Sequence, residues 1–234
     1  AGESGGENLM GFCGNDAATA VDPLGLQEER SLEVIYQTAL NVVSVGEGLG
    51  YVVAAEALSH FLDASGTTFD PGISWLRSFP KVVAAESKNE ERFGRQIEET
   101  ALAMGNYTKK SFFNHWAARI SYSAIDGKDE LRILSNNSFL TSYGRFDLDR
   151  RCDEVCVIGR VRVVWKDFYD WIPGRDQPWR IQGAGHISHA ELARLEAAGM
   201  AKAFRMQSVW YRTVKGKVVD GWFSNSMDLQ WEGP

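Results

Sequence analysis

"EVCVIGRVRVVWKDFYDW", residues 154–171, sets Val161, Val163 and Trp165 against Arg160, Arg162 and Val164 with a period of two. Successive side chains of an extended chain point to opposite faces, so this alternation predicts a half-buried β-strand. Strand texture extends on either side of it, from about residue 119 to the end. "AKAFRMQSVWYRTV" (201–214) and "KVVDGWFS" (217–224) flank Lys215-Gly216-Lys217, which reads as the turn of a hairpin. Between the strands, "SHAELARLEAAGM" (188–200) has Ser188 with Glu191 three residues on and Gly199 at its end, a helix with a capping box and a glycine stop.

Toward the amino terminus the period lengthens. "ESKNEERFGRQIEETALAMGN" (86–106) predicts a charged surface helix ending at Gly105. Residues 27–62 are apolar and helical in pattern, opened by Glu28 and Glu29 where a helix start favours negative charge and broken by Gly46, Gly48 and Gly50. The apolar runs beside these glycines are too short to span a bilayer. A helical hairpin packed on the main core is the expected arrangement, with membrane contact through residues 32–62 the alternative. "DASGTTFDPGISWLRSFP" (63–80) is the turn-rich connection that follows. The expected fold class is α+β: N-terminal helices followed by a C-terminal antiparallel sheet with one or two helices. The expected organisation is 1–26, a turn-rich tail; 27–85, an apolar helical region; and 86–234, the α+β domain.

A chain of 234 residues, 44 % hydrophobic and with eight tryptophans, can bury a core large enough to offset its conformational entropy. Residues 1–83 hold 3 basic and 11 acidic side chains, whereas 84–234 hold 22 and 20, so the acidic excess sits in the first third. The longest basic runs are Lys109-Lys110 and Arg150-Arg151, so the expected contribution from phosphate binding is modest. Cys13, Cys152 and Cys156 match no zinc spacing, and Cys152 and Cys156 read as buried free thiols or a pair across a turn. "AGESGGENLM" has neither a basic nor an apolar signal region, so no signal peptide is expected.

The segment "SGGENLMGFCGNDAATAVDPLGL" (4–26) resembles the end of the Rhs (YD-repeat) core, where GG-x-N-L-Y-x-F-x-x-N-D-P-x-N precedes a terminal D-P-x-G-L. Gly5, Gly6, Asn8, Leu9, Phe12, Asn15, Asp16, Asp22, Pro23, Gly25 and Leu26 match, while Met10 and Ala17 replace a tyrosine and a proline. The resemblance covers about the first tenth of the chain. It implies a toxin region that follows a hollow shell, release by cleavage after Leu26, and a place for Asp22 in a self-cleaving aspartyl site. It also implies export by a dedicated secretion system, action in or on a target cell, and a cognate immunity protein in the producer, beside the Rhs shell and secretion apparatus as partners.

The cargo of such proteins varies, so its chemistry is read separately. Asp167-x-Tyr169-Asp170 resembles the motif of colicin M-like toxins, which hydrolyse a lipid-linked envelope precursor; that family continues with a His-Arg pair, whereas here Arg175 and, later, His186 follow. Phosphodiester cleavage needs a carboxylate to hold a divalent cation or activate water, an acid or base titrating near neutrality, and an arginine for developing charge. Asp167 and Asp170 are the candidate carboxylates, His186 or His189 the acid/base, Arg175 the clamp, and Tyr169 completes the motif. His186 and His189 are also the one spacing that suits two imidazoles on a metal. His60 reads as structural; His115, among aromatics in "SFFNHWAARISYS" (111–123), reads as an interior histidine or, with Asn114, Arg119 and Ser121, a pocket residue. Three alternatives stand beside hydrolysis of an envelope precursor. One is a nuclease using exposed aromatics. Another is an ADP-ribosyltransferase built from Arg119, "SNNSFLTSY" (135–143) and Gln230-x-Glu232. The third is membrane disruption through residues 32–62.

Overall fold

The computed structural model describes residues 30–121, 130–135, 137–172, 179–181, 185–221 and 225–233. In chain order these form α1 (Leu32–Gly48), α2 (Val52–Leu62), α3 (Ile73–Arg77), α4 (Pro80–Leu102), β1 (Lys109–Ser121), α5 (Glu130–Leu134) and β2 (Asn137–Arg151). There follow β3 (Glu154–Tyr169), β4 (Trp179–Ile181), β5 (Gly185–Ile187), α6 (His189–Ala197), β6 (Phe204–Val219) and β7 (Ser226–Glu232). The class is α+β, with helices ahead of a five-stranded antiparallel sheet ordered β1-β2-β3-β6-β7. The segment 1–26, including Asp22 and Leu26, lies outside the described residues, as does Arg175.

Two compact units divide the chain, each made of two separate stretches: residues up to 67 with 169–204, and 68–168 with 205–234. In the first, Ser31 caps α1 by accepting from the Val34 N–H, and Gly50 at φ 86° makes the reversal into α2. Ile35, Ala39, Phe61, Leu192 and Leu195 are buried, which gives α1, α2 and α6 their apolar faces. The expected capping box forms at α6, with Ser188 Oγ accepting from Glu191 N–H and the Glu191 carboxylate accepting from Ser188 N–H. Arg30 donates to that same Glu191 carboxylate at 2.5 Å and to the His186 carbonyl at 2.7 Å, so the residue just ahead of the α1 cap is tied to the start of α6.

In the second unit α4 lies on β1 and β2. Val82, Phe93, Ile97 and Ala101 form its fully buried stripe, spaced as one face of a helix. Pro80 at the first helical turn starts α4 six residues before the expected Glu86, because proline's fixed φ suits that position and its missing N–H is not needed there. On the sheet, Phe146 sits between Phe93 and Phe112, 5.1 Å from each ring centre. Gly159, its direct ladder partner, leaves the space that this ring occupies. Along β3, Val161, Val163 and Trp165 are buried and Arg160 and Arg162 exposed, as the alternation requires, but Val164, expected on the open side with the arginines, is buried as well.

Two expectations are corrected. Lys215-Gly216-Lys217 is not a turn: β6 runs unbroken from Phe204 to Val219. Gly216 faces Leu229 of β7 and a side chain there would collide with the Asp228 carbonyl, so the glycine permits close strand approach instead of a reversal. Cys152 and Cys156 are free thiols, but exposed, because Cys152 stands in the β2–β3 turn at φ 56° and Cys156 on the exposed side of β3.

Candidate functional site

The Asp-x-Tyr-Asp stretch ends β3. Asp167, in the second unit, accepts hydrogen bonds from Ser135 Oγ at the end of α5 and from the Phe168 N–H. Tyr169, in the first unit, is buried: its ring stacks on Phe204 with centres 4.9 Å apart and meets Trp171 edge-on at 5.3 Å. Burial pushes its phenol far above the ordinary range, so it stays protonated. Asp170 is exposed. His186, half-buried in the first unit, takes part through its carbonyl in the Arg30 contact, whereas His189 is 7 % exposed with its ring edge-on to Trp171, 4.8 Å away. Among the described residues no three His, Cys, Asp or Glu side chains are grouped to hold a metal ion.

Arg119, Thr141 with Ser142, and Glu232 do not converge. Arg119 is on β1 and Glu232 on β7, the two edges of the sheet and four strand spacings apart, roughly 19 Å. Ser142 is buried and bonded to Asn89 Nδ2 at 3.1 Å, while Glu232 is 3.7 Å from Lys215. His115, expected inside, is exposed on β1 and stacked on Tyr143 of β2, 5.8 Å away. His60 sets its ring edge-on to Phe204 at 4.5 Å, with Nε2 3.0 Å from the Thr67 carbonyl.

A further polar cluster lies between α4 and the β6–β7 pair. Glu86, with 3 % of its side chain exposed, accepts from Trp210 Nε1 at 2.9 Å, Arg212 Nη1 at 3.1 Å and Arg77 Nε at 3.2 Å. Arg212 also approaches Glu90 to 3.1 Å and donates to the carbonyls of Trp231 and Glu232, both at 3.3 Å, fastening the end of β7. Glu90 then faces a groove of about 520 Å³ whose other walls include Gly94, Arg95, Met227, Leu229 and Trp231. Burial raises the Glu90 carboxyl above its ordinary value, Arg212 opposes this, and the nearby Glu86 charge adds to it. A carboxyl held toward its neutral form beside an exposed arginine can carry a proton to or from an anionic substrate.

This cluster was not singled out in the sequence, although part of its signal is there. Glu86, Asn89 and Phe93 fall at helical spacing on the buried side of α4, and Arg212 stands on the inward alternation of Trp210 and Val214. A buried acid on a helix implies a cation across the core, but nothing local names residue 212, which is 126 positions away.

On the far side of α4 a second shallow groove, about 560 Å³, is lined by Arg92, Arg95, Gln96, Glu99, Asn114 and Trp116. Arg92 lies over the Trp116 ring, 5.4 Å from its centre, and donates to the Ala117 carbonyl. No helix among the described residues is long and apolar enough to cross a membrane. No protein-family model matches the chain, and no curated protein matches it.

Proposed function

We propose that this chain is the toxin region of an Rhs-type effector and that it acts by hydrolysing a phosphodiester bond. The toxin part rests on the Gly5–Leu26 segment; release after Leu26 leaves Ser31, the cap of the first helix, and everything beyond it in the liberated part. The observation that carries the hydrolytic part is Glu90, a desolvated carboxyl opening on a groove that also presents Arg95. Such a pair supplies a proton donor or acceptor and a positive charge for a developing oxyanion. In this reading the producing cell keeps an immunity protein, and a divalent cation or the carboxylates at Asp167 and Asp170 are further means of activating water.

The test is inducible expression of the full chain in a bacterium, directed to cytoplasm or periplasm. The comparison set is Glu90→Gln, Asp167→Ala, Asp170→Ala and His186→Ala, with folding checked by circular dichroism. Killing abolished by Glu90→Gln in a folded protein supports the α4–β7 groove. Loss with Asp167→Ala and Asp170→Ala, seen only in the periplasm, moves the chemistry to the end of β3 and to an envelope precursor. Killing that survives every substitution refutes hydrolysis as drawn and favours membrane disruption through residues 32–62.

A further inference from the structure

The sheet face turned away from α4 carries aromatic and basic side chains in cross-strand rows. In one row Phe113, Arg145 and Arg160 are successive ladder partners on β1, β2 and β3, and the Arg160 guanidinium lies 4.7 Å from the centre of the Tyr211 ring on β6. The next row, two residues along, is His115, Tyr143 and Arg162. After a neutral row of Ala117, Thr141 and Val164 comes a fourth, Arg119, Phe139 and Lys166. Same-face rows repeat at about 7 Å along the strands and about 4.8 Å across them. Phe113 is 64 % exposed, Phe139 50 % and Tyr211 48 %, which a ring does not gain by packing on its own core.

The charge on this face is uneven in a telling way. Toward one end, Lys109 and Arg151 share Asp149, and Lys217 meets Glu154. Arg145, Arg160, Arg162 and Lys166 make no ion pair among the described residues, and Arg145 stands directly opposite Arg160. Like charges opposed in a ladder are unfavourable, and an anion bridging them removes that cost. The concentration is not a by-product of composition, since the whole chain carries 25 basic and 31 acidic side chains.

We infer that this face binds single-stranded nucleic acid, with phosphates on Arg145, Arg160, Arg162 and Lys166 and unpaired bases stacked on Phe113, Phe139 and Tyr143. Flat rings interleaved with cations suit a strand whose bases are unpaired and whose backbone runs beside them. A duplex does not fit, because its major groove admits a helix or a two-stranded ribbon and not a broad sheet face. The inference rests on the hydrolytic reading for what the binding serves, with the strand held on the side of the sheet opposite the Glu90 groove, and names its substrate class as a single-stranded polynucleotide long enough to pass round the sheet edge.

The test is fluorescence anisotropy of fluorescein-labelled U20 RNA and dT20 DNA with the full chain, beside a 20-base-pair duplex and anionic phosphatidylglycerol vesicles. Single strands are expected to bind more tightly than the duplex, with affinity falling as salt rises. Converting Arg145, Arg160 and Arg162 together to Gln should weaken binding at least tenfold and flatten the salt slope by about 2, at about 0.7 per lost phosphate contact. Phe139→Ala and Tyr143→Ala should each cost about five- to a hundredfold in affinity with little change in slope. Arg145, Arg160, Arg162 and Phe139 are exposed and Tyr143 is half-buried, so the variants should keep the wild-type circular dichroism. The inference is overturned by no binding at low salt, by equal or tighter duplex binding, by affinity indifferent to these variants, or by vesicle binding without oligonucleotide binding. Cells killed by a chain with no oligonucleotide affinity would overturn this inference and leave the toxin reading standing; binding by a chain that harms no cell would do the reverse.

Discussion

Replacing Glu86 by alanine should be among the most damaging single changes in the second unit. The substitution removes an acceptor serving Trp210, Arg212 and Arg77. Trp210 is 2 % exposed, so its indole N–H is left unpaired in the interior, at about 1–3 kcal/mol. Arg212 keeps Glu90 and two carbonyls but loses a buried counter-charge, and breaking a buried ion pair from one side costs about 3–5 kcal/mol. Arg77, 28 % exposed, turns to water and adds roughly 0–1 kcal/mol. These terms overlap, and the expected loss is about 3–5 kcal/mol. Near 2–4 °C per kcal/mol for a chain of this size, thermal unfolding followed by circular dichroism should drop by about 10 °C. Glu86→Gln keeps an acceptor but loses the charge assistance, and should fall by about half as much. A Glu86→Ala variant melting within about 2 °C of the parent would refute the claim that this carboxylate holds α4 to β6, whatever the distances show.

Three other outcomes follow from the same contacts. The Glu90 carboxyl has a raised folded pKa, so its ionised form costs stability at neutral pH, a cost relieved as pH falls toward 4.5; Glu90→Gln should be at least as stable as the parent at pH 7, with a smaller rise in stability between pH 7 and 4.5 in urea titrations. Burial pushes Glu191 upward, but hydrogen bonds from Ser188 and the Arg30 charge leave it below its ordinary value; the stability it provides is present above about pH 4.5 and lost at lower pH, so Arg30→Ala should destabilise at pH 7 and much less at pH 3. Gly159→Ala places a methyl group against the Phe146 ring and Val214, and should cost about 1–3 kcal/mol, measured by urea unfolding, with Phe146→Leu in the same chain recovering part of it.

Local pattern carried far where the cause is local. The alternation of residues 160–165 placed Val161, Val163 and Trp165 inside, and Ser188 with Glu191 announced a box that the first turn of α6 makes. The sequence reading stopped where the partner is remote. Gly216 looks like a turn to its neighbours, and only β7 passing beside it explains the glycine in a straight strand. The acids of α4 looked like a solvated surface, but Glu86 and Glu90 turn toward Arg212 because the stripe containing Phe93 and Ile97 fixes the rotation of the helix.

What the sequence by itself determined is the class of fold, the period of its main strand, the capping box of α6 and the resemblance at residues 5–26, all properties of neighbours along the chain. Tertiary structure alone decided which residues become neighbours. Pairing β1, β2 and β3 in one register set Phe113 beside Arg145 and Arg145 beside Arg160, although these positions are 32 and 15 residues apart. A shift of one residue would turn every one of these side chains to the opposite face, and it is burial of Phe146, Leu140 and Trp165 on the α4 side of the sheet that forbids the shift. The physical reason is that periodicity specifies which side of an element is apolar, while packing of that side specifies what the other side presents.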